Sequence, residues 1–271
     1  RELVERLIRL DQVAKKGKTW LEKQLESGEF GPQDDILYEE MGGIWRLDQL
    51  DALGLYKENA ELVQLSFQAL WDAATQAEID TGYWIDLESG VISKTENIRP
   101  VKAKKYIHAD DSAFEVYTVK KLYCYPGGLN KRVRWEDATS VSCSQEIPAR
   151  VLSLARREIA PAVKEAKNEL KNVLADDAVA MLFGFDRIVF AGQTGSHIQS
   201  ESMGTLQLGS ESLLLQENDS YAGALAVLRL LPKRFLENGA LMGELWYSAE
   251  TGGVFLAPIA LVTEQEILRL V

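Results

Sequence analysis

The chain has 271 residues, 46% hydrophobic and 26% charged, with a formal net charge of −11. Those values suit a globular protein of one large or two smaller domains with a sizeable core. They exclude a spanning helix, because no apolar run approaches the ~18–20 residues a bilayer requires.

Residues 1–28 read as an amphipathic helix, with Leu3, Val4, Leu7, Ile8, Leu10, Val13, Trp20, Leu21 and Leu25 at helical spacing. Gly17 is expected to weaken or split it, and Gly28 suits its C-cap. Asp34 and Asp35 suit the start of a short helix to about Met41. Ile44, Leu47, Leu50 and Leu53 keep a helical register up to Gly54. A further helix is predicted over roughly Lys57–Glu78, with Leu62, Leu65, Leu70 and Trp71 inward, which makes 1–80 a helical region. Period-two patterns then predict an antiparallel β-module over 81–146. Its strands run through Phe114–Tyr125, turn at Pro126-Gly127-Gly128 and return through Lys131, Val133 and Trp135. Residues 147–184 read as a helical connector in which Pro148 suits the first turn and Pro161 must kink or divide the helix. A second β-rich module is predicted over 185–271, with strands at Arg187–Ala191, Met203–Leu208, Leu213–Gln216 and Pro258–Val262. Tyr221–Leu231 is ambiguous. The fold class is α+β: a helical layer, an antiparallel sheet, a kinked helix or helix pair, and a second antiparallel module.

One pattern occurs twice. Tyr83-Trp84-Ile85-Asp86-Leu87-Glu88-Ser89-Gly90-Val91-Ile92-Ser93 and Leu245-Trp246-Tyr247-Ser248-Ala249-Glu250-Thr251-Gly252-Gly253-Val254-Phe255-Leu256 lie 162 residues apart. Each is an aromatic alternating run, then Glu-(Ser/Thr)-Gly, then a Val-led run, which is a β-hairpin signal. The recurrence predicts a β-module built twice. Both tryptophans should face a core, and Gly90 and Gly252 or Gly253 should take positive φ.

Chemistry-bearing residues are sparse. His108, His197, Cys124 and Cys143 are scattered without a metal-binding spacing, so no metal and no cofactor is expected, and the two cysteines read as reduced, packed thiols of a cytoplasmic protein, with one disulfide between them as the alternative. Gly192-Gln193-Thr194-Gly195-Ser196-His197 lacks the Gly-Lys-(Ser/Thr) ending of a phosphate loop and reads as a surface loop. Asp110-Asp111 and Asp176-Asp177 are adjacent carboxylates that do not converge, so turns or caps account for them. The charge itself is uneven: −8 over Glu26–Glu61, +6 over Arg99–Arg134 and −17 outside that basic segment. Lys104, Lys105, Lys120, Lys121, Lys131, Arg132 and Arg134, interleaved with aromatics, form a nucleic-acid surface in one reading and a solvated strand face in the other. Asp34, Asp35, Glu39 and Glu40 form an acidic docking surface that would steer a basic protein partner.

Three segments resemble the region that follows the finger in bacterial SWIM zinc-finger family proteins. They are Leu10–Leu55 with Trp20-Leu21 and Asp48–Leu55, the Leu122–Arg132 stretch containing Tyr125-Pro126-Gly127, and Leu228–Ala260 ending in Leu256-Ala257-Pro258-Ile259. The finger's own Cys-x-Cys and Cys-x-His pairs are absent, so neither zinc nor finger-mediated nucleic-acid binding is implied. The resemblance implies a non-enzymatic scaffold, partnered by a MoxR-type AAA+ ATPase or a von Willebrand A protein. A nucleic-acid-binding accessory protein using residues 99–134 is the alternative.

Overall fold

The computed structural model describes residues 2–28, 36–190, 203–249 and 251–270, and its helices and strands fall in the α+β class. Three helices lead in: α1 (Glu2–Ser27), α2 (Leu37–Glu40) and α3 (Leu47–Ala52). α1 runs unbroken through Gly17. Most of its predicted apolar stripe faces outward, with Leu3, Leu7, Leu10, Leu21 and Leu25 all exposed. The helix is held instead by its other side, where Arg9 pairs with Glu40 at 2.6 Å and donates to the Leu174 carbonyl. Asp34 and Asp35 lie outside the described residues.

The helix expected over 57–78 is instead a 17-residue strand, β1 (Tyr56–Asp72), and the turn into the next strand. Its Leu62, Val63, Gln64, Leu65 and Ser66 are all buried. A strand covered on both faces reads as a continuous apolar run rather than an alternating one. Glu, Leu, Gln and Ala add helix propensity, a weak prior that tertiary pairing overrides. Asn59 at φ 52° and a register shift between Gln64 and Ser66 further break the alternation.

β1 begins the first of two barrels. β2 (Ala77–Asp86), β3 (Ile92–Pro100), β4 (Glu115–Cys124), β5 (Val133–Arg134) and β6 (Ala138–Ser142) follow. β5 and β6 lie in succession along one edge of β4, as a broken fifth strand. β1 pairs antiparallel with β2 and β4, β2 with β3, and a parallel bridge from Lys94 to Arg132 brings the third strand to the fifth. The order around the barrel is first, second, third, fifth, fourth and back to the first.

α4 (Ile147–Ser153) and α5 (Ile159–Leu170) form the connector. The chain divides at residues 154–158, and Pro161 sits in the first turn of α5, where its missing N–H is no loss. The second barrel uses β7 (Ala178–Phe190), β8 (Met203–Leu208), β9 (Glu211–Gln216), α6 (Ala224–Leu230), β10 (Glu237–Ser248), β11 (Gly253–Val262) and an added β12 (Ile267–Arg269). Its strand order is the same, with β9 and β11 parallel at Leu215 and Leu256. Five strands closed in this order make a partly open Greek-key barrel of the OB type.

Both expected hairpins form, in one register: Trp84 faces Ser93 and Trp246 faces Phe255. Gly90 and Gly252 have φ of 71° and 69°. Yet they are not equivalent parts of the module. The first joins the second and third strands of its barrel, and the second joins the fourth and fifth of its own. Trp84 is buried, whereas Trp246 is half-buried, beside Phe255 and donating to the Gln216 carbonyl at 3.2 Å.

The barrels share an apolar interface. Val63, Leu65, Ile85 and Val116 of the first meet Leu182, Met242, Ile259 and Val262 of the second, with Val151 and Leu152 of α4 between them. Polar clamps cross it. Asn130, just after the Pro-Gly-Gly turn, donates to the carbonyls of Ile92 and Ala180 and accepts the Ala180 N–H at 2.7 Å. Tyr83 Oη donates to buried Glu244 at 2.8 Å.

Candidate functional site

The first barrel is incompletely closed. Beyond the Lys94–Arg132 bridge, β3 and β5 have no ladder between them among the described residues. The gap is a cleft of about 990 Å³. Thr95, Glu96, Asn97 and Ile98 of β3 form one lip, and Val133, Arg134 and Trp135 at β5 form the other. The 107–113 segment and the turn between α2 and α3 border it, bringing in Asp110, Asp111 and Trp45.

Aromatic rings dominate its wall. Trp84, Tyr117 and Trp135 pack edge to face or tilted, with centroids 5.2, 5.2 and 6.4 Å apart. The indole of Trp84 donates to Thr95 Oγ1 at 3.0 Å. Beneath, Gly82 leaves room that a side chain would take, since a Cβ there would lie 2.8 Å from Gln64 Nε2. Gln64 Oε1 accepts the Ala113 N–H at 2.8 Å and so ties the border segment to β1. Trp45 packs against Tyr38 at 4.9 Å, and its buried N–H has no acceptor among the described residues.

A buried ion pair sets the carboxylate side. Arg99 grips Asp80 through two bonds of 2.9 and 2.8 Å and reaches Glu78 at 3.0 Å. Asp80 in turn accepts the Asp110 N–H at 2.9 Å. Asp110 also accepts from Asn97 at 3.2 Å. Burial and the neighbouring Asp80 carboxylate raise the Asp110 carboxyl above its ordinary range.

The basic residues singled out from sequence are mostly committed elsewhere. Lys104 pairs with Glu78, Lys121 with Asp51 of α3, and Arg132 with Glu39 of α2 at 2.7 Å while lying over the Tyr125 ring. Lys105 lies over Tyr106, and Lys120 is exposed on β4. Lys131 is half-buried, its carbonyl holding the Lys94 N–H. Arg134 alone of the seven lines the cleft with no ion pair among the described residues. Glu39 and Glu40, expected to steer a partner, clamp α2 to Arg132 and Arg9. The Gly192–His197 loop lies outside the described residues. Cys124 and Cys143 are free, and among the described residues no three His, Cys, Asp or Glu side chains are placed to hold a metal ion.

Sequence reasoning missed the cleft because Trp45, Gln64, Trp84 and Asp110 are scattered along the chain and β1 was read as helix. The one legible signal was the Glu78–Asp80 alternation facing Arg99 across a hairpin.

No protein-family model and no curated protein matches the sequence. Among solved structures, a chain described as "Structural mimicry for functional antagonism" is 8% identical, covering 74% of this chain and 90% of its own, at a TM-score of 0.30. A chain described under "Structure and Conformational Change of a Replication Protein A Heterotrimer Bound to ssDNA" is 12% identical, covering 79% of this chain and 52% of its own, at 0.29. Both likenesses are too remote to carry a fold or a function across.

Proposed function

We propose that the chain is a non-enzymatic interaction module that takes an extended segment of a protein partner into the cleft of the first barrel. One observation carries this reading: two strand edges, on β3 and β5, face each other across an aromatic-walled gap. Exposed strand edges offer unused main-chain donors and acceptors to an incoming strand. The second barrel and α4 brace the first from behind. A MoxR-type AAA+ ATPase or a von Willebrand A protein is the partner that the SWIM-family resemblance suggests.

The test uses random twelve-residue peptides selected on the immobilised full chain. Binders should compete with one another, slow hydrogen exchange at residues 95–98, and be lost on Trp135→Ala. Selection of no binders, or of binders that protect other surfaces, counts against the reading.

Nucleic-acid binding through residues 99–134 is the second reading, supported by the barrel type and the aromatic wall. Pairing of Lys104, Lys121 and Arg132 with carboxylates weighs against it. It predicts single-strand affinity whose log–log salt slope is about −0.7 per neutralised phosphate, flattened by charge reversal at Lys131 and Arg132.

A further inference from the structure

We propose that the segment taken into the cleft presents a lysine or arginine side chain to the border formed by Asp110 and Asp111, against the aromatic wall of Tyr117 and Trp135. The inference rests on the interaction-module reading above and specifies the occupant's chemistry.

Among the described residues four carboxylates line the cleft, those of Glu39, Glu96, Asp110 and Asp111, against the guanidiniums of Arg132 and Arg134. Glu39 is neutralised by Arg132 at 2.7 Å, and Glu96 by Lys94 at 2.8 Å. Asp110 and Asp111 have no ion-pair partner among the described residues; Arg134, on the β5 lip, is the lining cation in the same position. Among these lining groups the excess charge is therefore negative and concentrated on the bordering 107–113 segment. The Asp110 carboxyl is raised first by partial burial and then by repulsion from the Asp80 and Asp111 carboxylates, with Asn97 and Arg99 acting against the shift. A cation beside it would relieve that repulsion.

Two features of the cleft wall suit a cationic side chain on an extended segment. A cationic side chain near an aromatic face gains further stabilisation when desolvated, and Tyr117 and Trp135 supply half-buried rings in the cleft wall. Trp45, 7% exposed and lining the same cleft, carries a buried indole N–H without an acceptor. A small turn of that ring would offer the N–H to a main-chain carbonyl of an extended segment. Phosphate groups of a nucleic acid would meet the same carboxylates as repulsion.

Peptides selected on the full chain decide the point. Each binder is compared with an analogue in which every Lys or Arg is replaced by norleucine, with calorimetry as readout. The replacement should weaken binding about tenfold. The exposed double change Asp110→Asn with Asp111→Asn should weaken the cationic peptide similarly and leave the norleucine analogue unchanged. Circular dichroism of that variant verifies its fold. Binders that protect residues 95–98 yet tolerate norleucine overturn the inference and leave the interaction-module reading standing. Competition by oligothymidylate for the cleft overturns the inference in favour of nucleic acid, and the absence of any binder overturns both.

Discussion

The two barrels share a strand order but differ in what fills the opening between their third and fifth strands. In the second, Phe183, Leu206, Leu215 and Leu241 form a continuous apolar interior, sealed by Leu225 and Leu228 of α6 and by Ala162 and Ala166 of α5. In the first, the connection from the third to the fourth strand contains no helix. Residues 107–113 border the gap instead, and the interior is a smaller cluster around Trp84, Val119 and Leu122 with rings at its mouth. One topology thus gives a packed core in one copy and a cleft in the other. The deciding variable is the crossover element, because strand pairing alone cannot fill the interior of a five-stranded barrel.

Truncating one ring in each barrel separates the two interiors most directly. Phe183→Ala, in the fully buried interior of the second barrel, should cost about 3–5 kcal/mol in urea unfolding. Trp135→Ala, on the cleft wall of the first, should cost less than about 2 kcal/mol, because its ring is already half solvated. Equal costs would mean that the first barrel is packed like the second.

Next in size is the clamp between them. Asn130→Ala strands the Ala180 N–H and two carbonyls and should cost about 2–3 kcal/mol. If the barrels unfold as one unit because of this interface, the variant's melt should separate into two calorimetric transitions. A single transition with unchanged midpoint would show that the apolar contact suffices alone.

Glu244, in the same interface, makes stability depend on pH. Burial raises its carboxyl above the ordinary value, against the opposing pull of the hydrogen bonds from Tyr83 and Asn218, which favour the ionised form. The folded chain therefore holds that proton more tightly than the unfolded chain does. Its favourable contribution is present in acid and is lost as pH rises from the ordinary carboxylate range through the raised value. Glu244→Gln should remove this loss, flattening the stability profile above the ordinary carboxylate range. An unaltered pH profile in urea titrations would contradict this.

The smallest effect is expected at the half-exposed Arg132–Glu39 pair. A double-mutant cycle there should give less than about 1 kcal/mol of coupling, since α2 also holds to the body through Glu40 and Arg9.

Local signals marked much of the fold. Met203–Leu208 was placed as the structure has it, and the Gly90 and Gly252 turns and the division of the 147–170 helix followed from short-range chemistry. β1 did not, because burial on both faces erased its alternation. The repeated hairpin was legible as a hairpin, but its rank within each barrel was not: register within a hairpin is local, whereas strand order depends on which distant edges meet. The basic run 99–134 was legible as composition, yet its partners Glu39, Asp51 and Glu78 come from other elements.

The α+β class, the two hairpins and their Gly90 and Gly252 turns were legible in the sequence, since these depend on residues within a few positions of one another. Only the tertiary structure decided that β1 is a strand, that two barrels share one strand order, and that one is sealed while the other carries a cleft. Those outcomes depend on contacts between residues tens to more than a hundred positions apart, such as Tyr83 with Glu244 and Asn130 with Ala180. No local pattern encodes them.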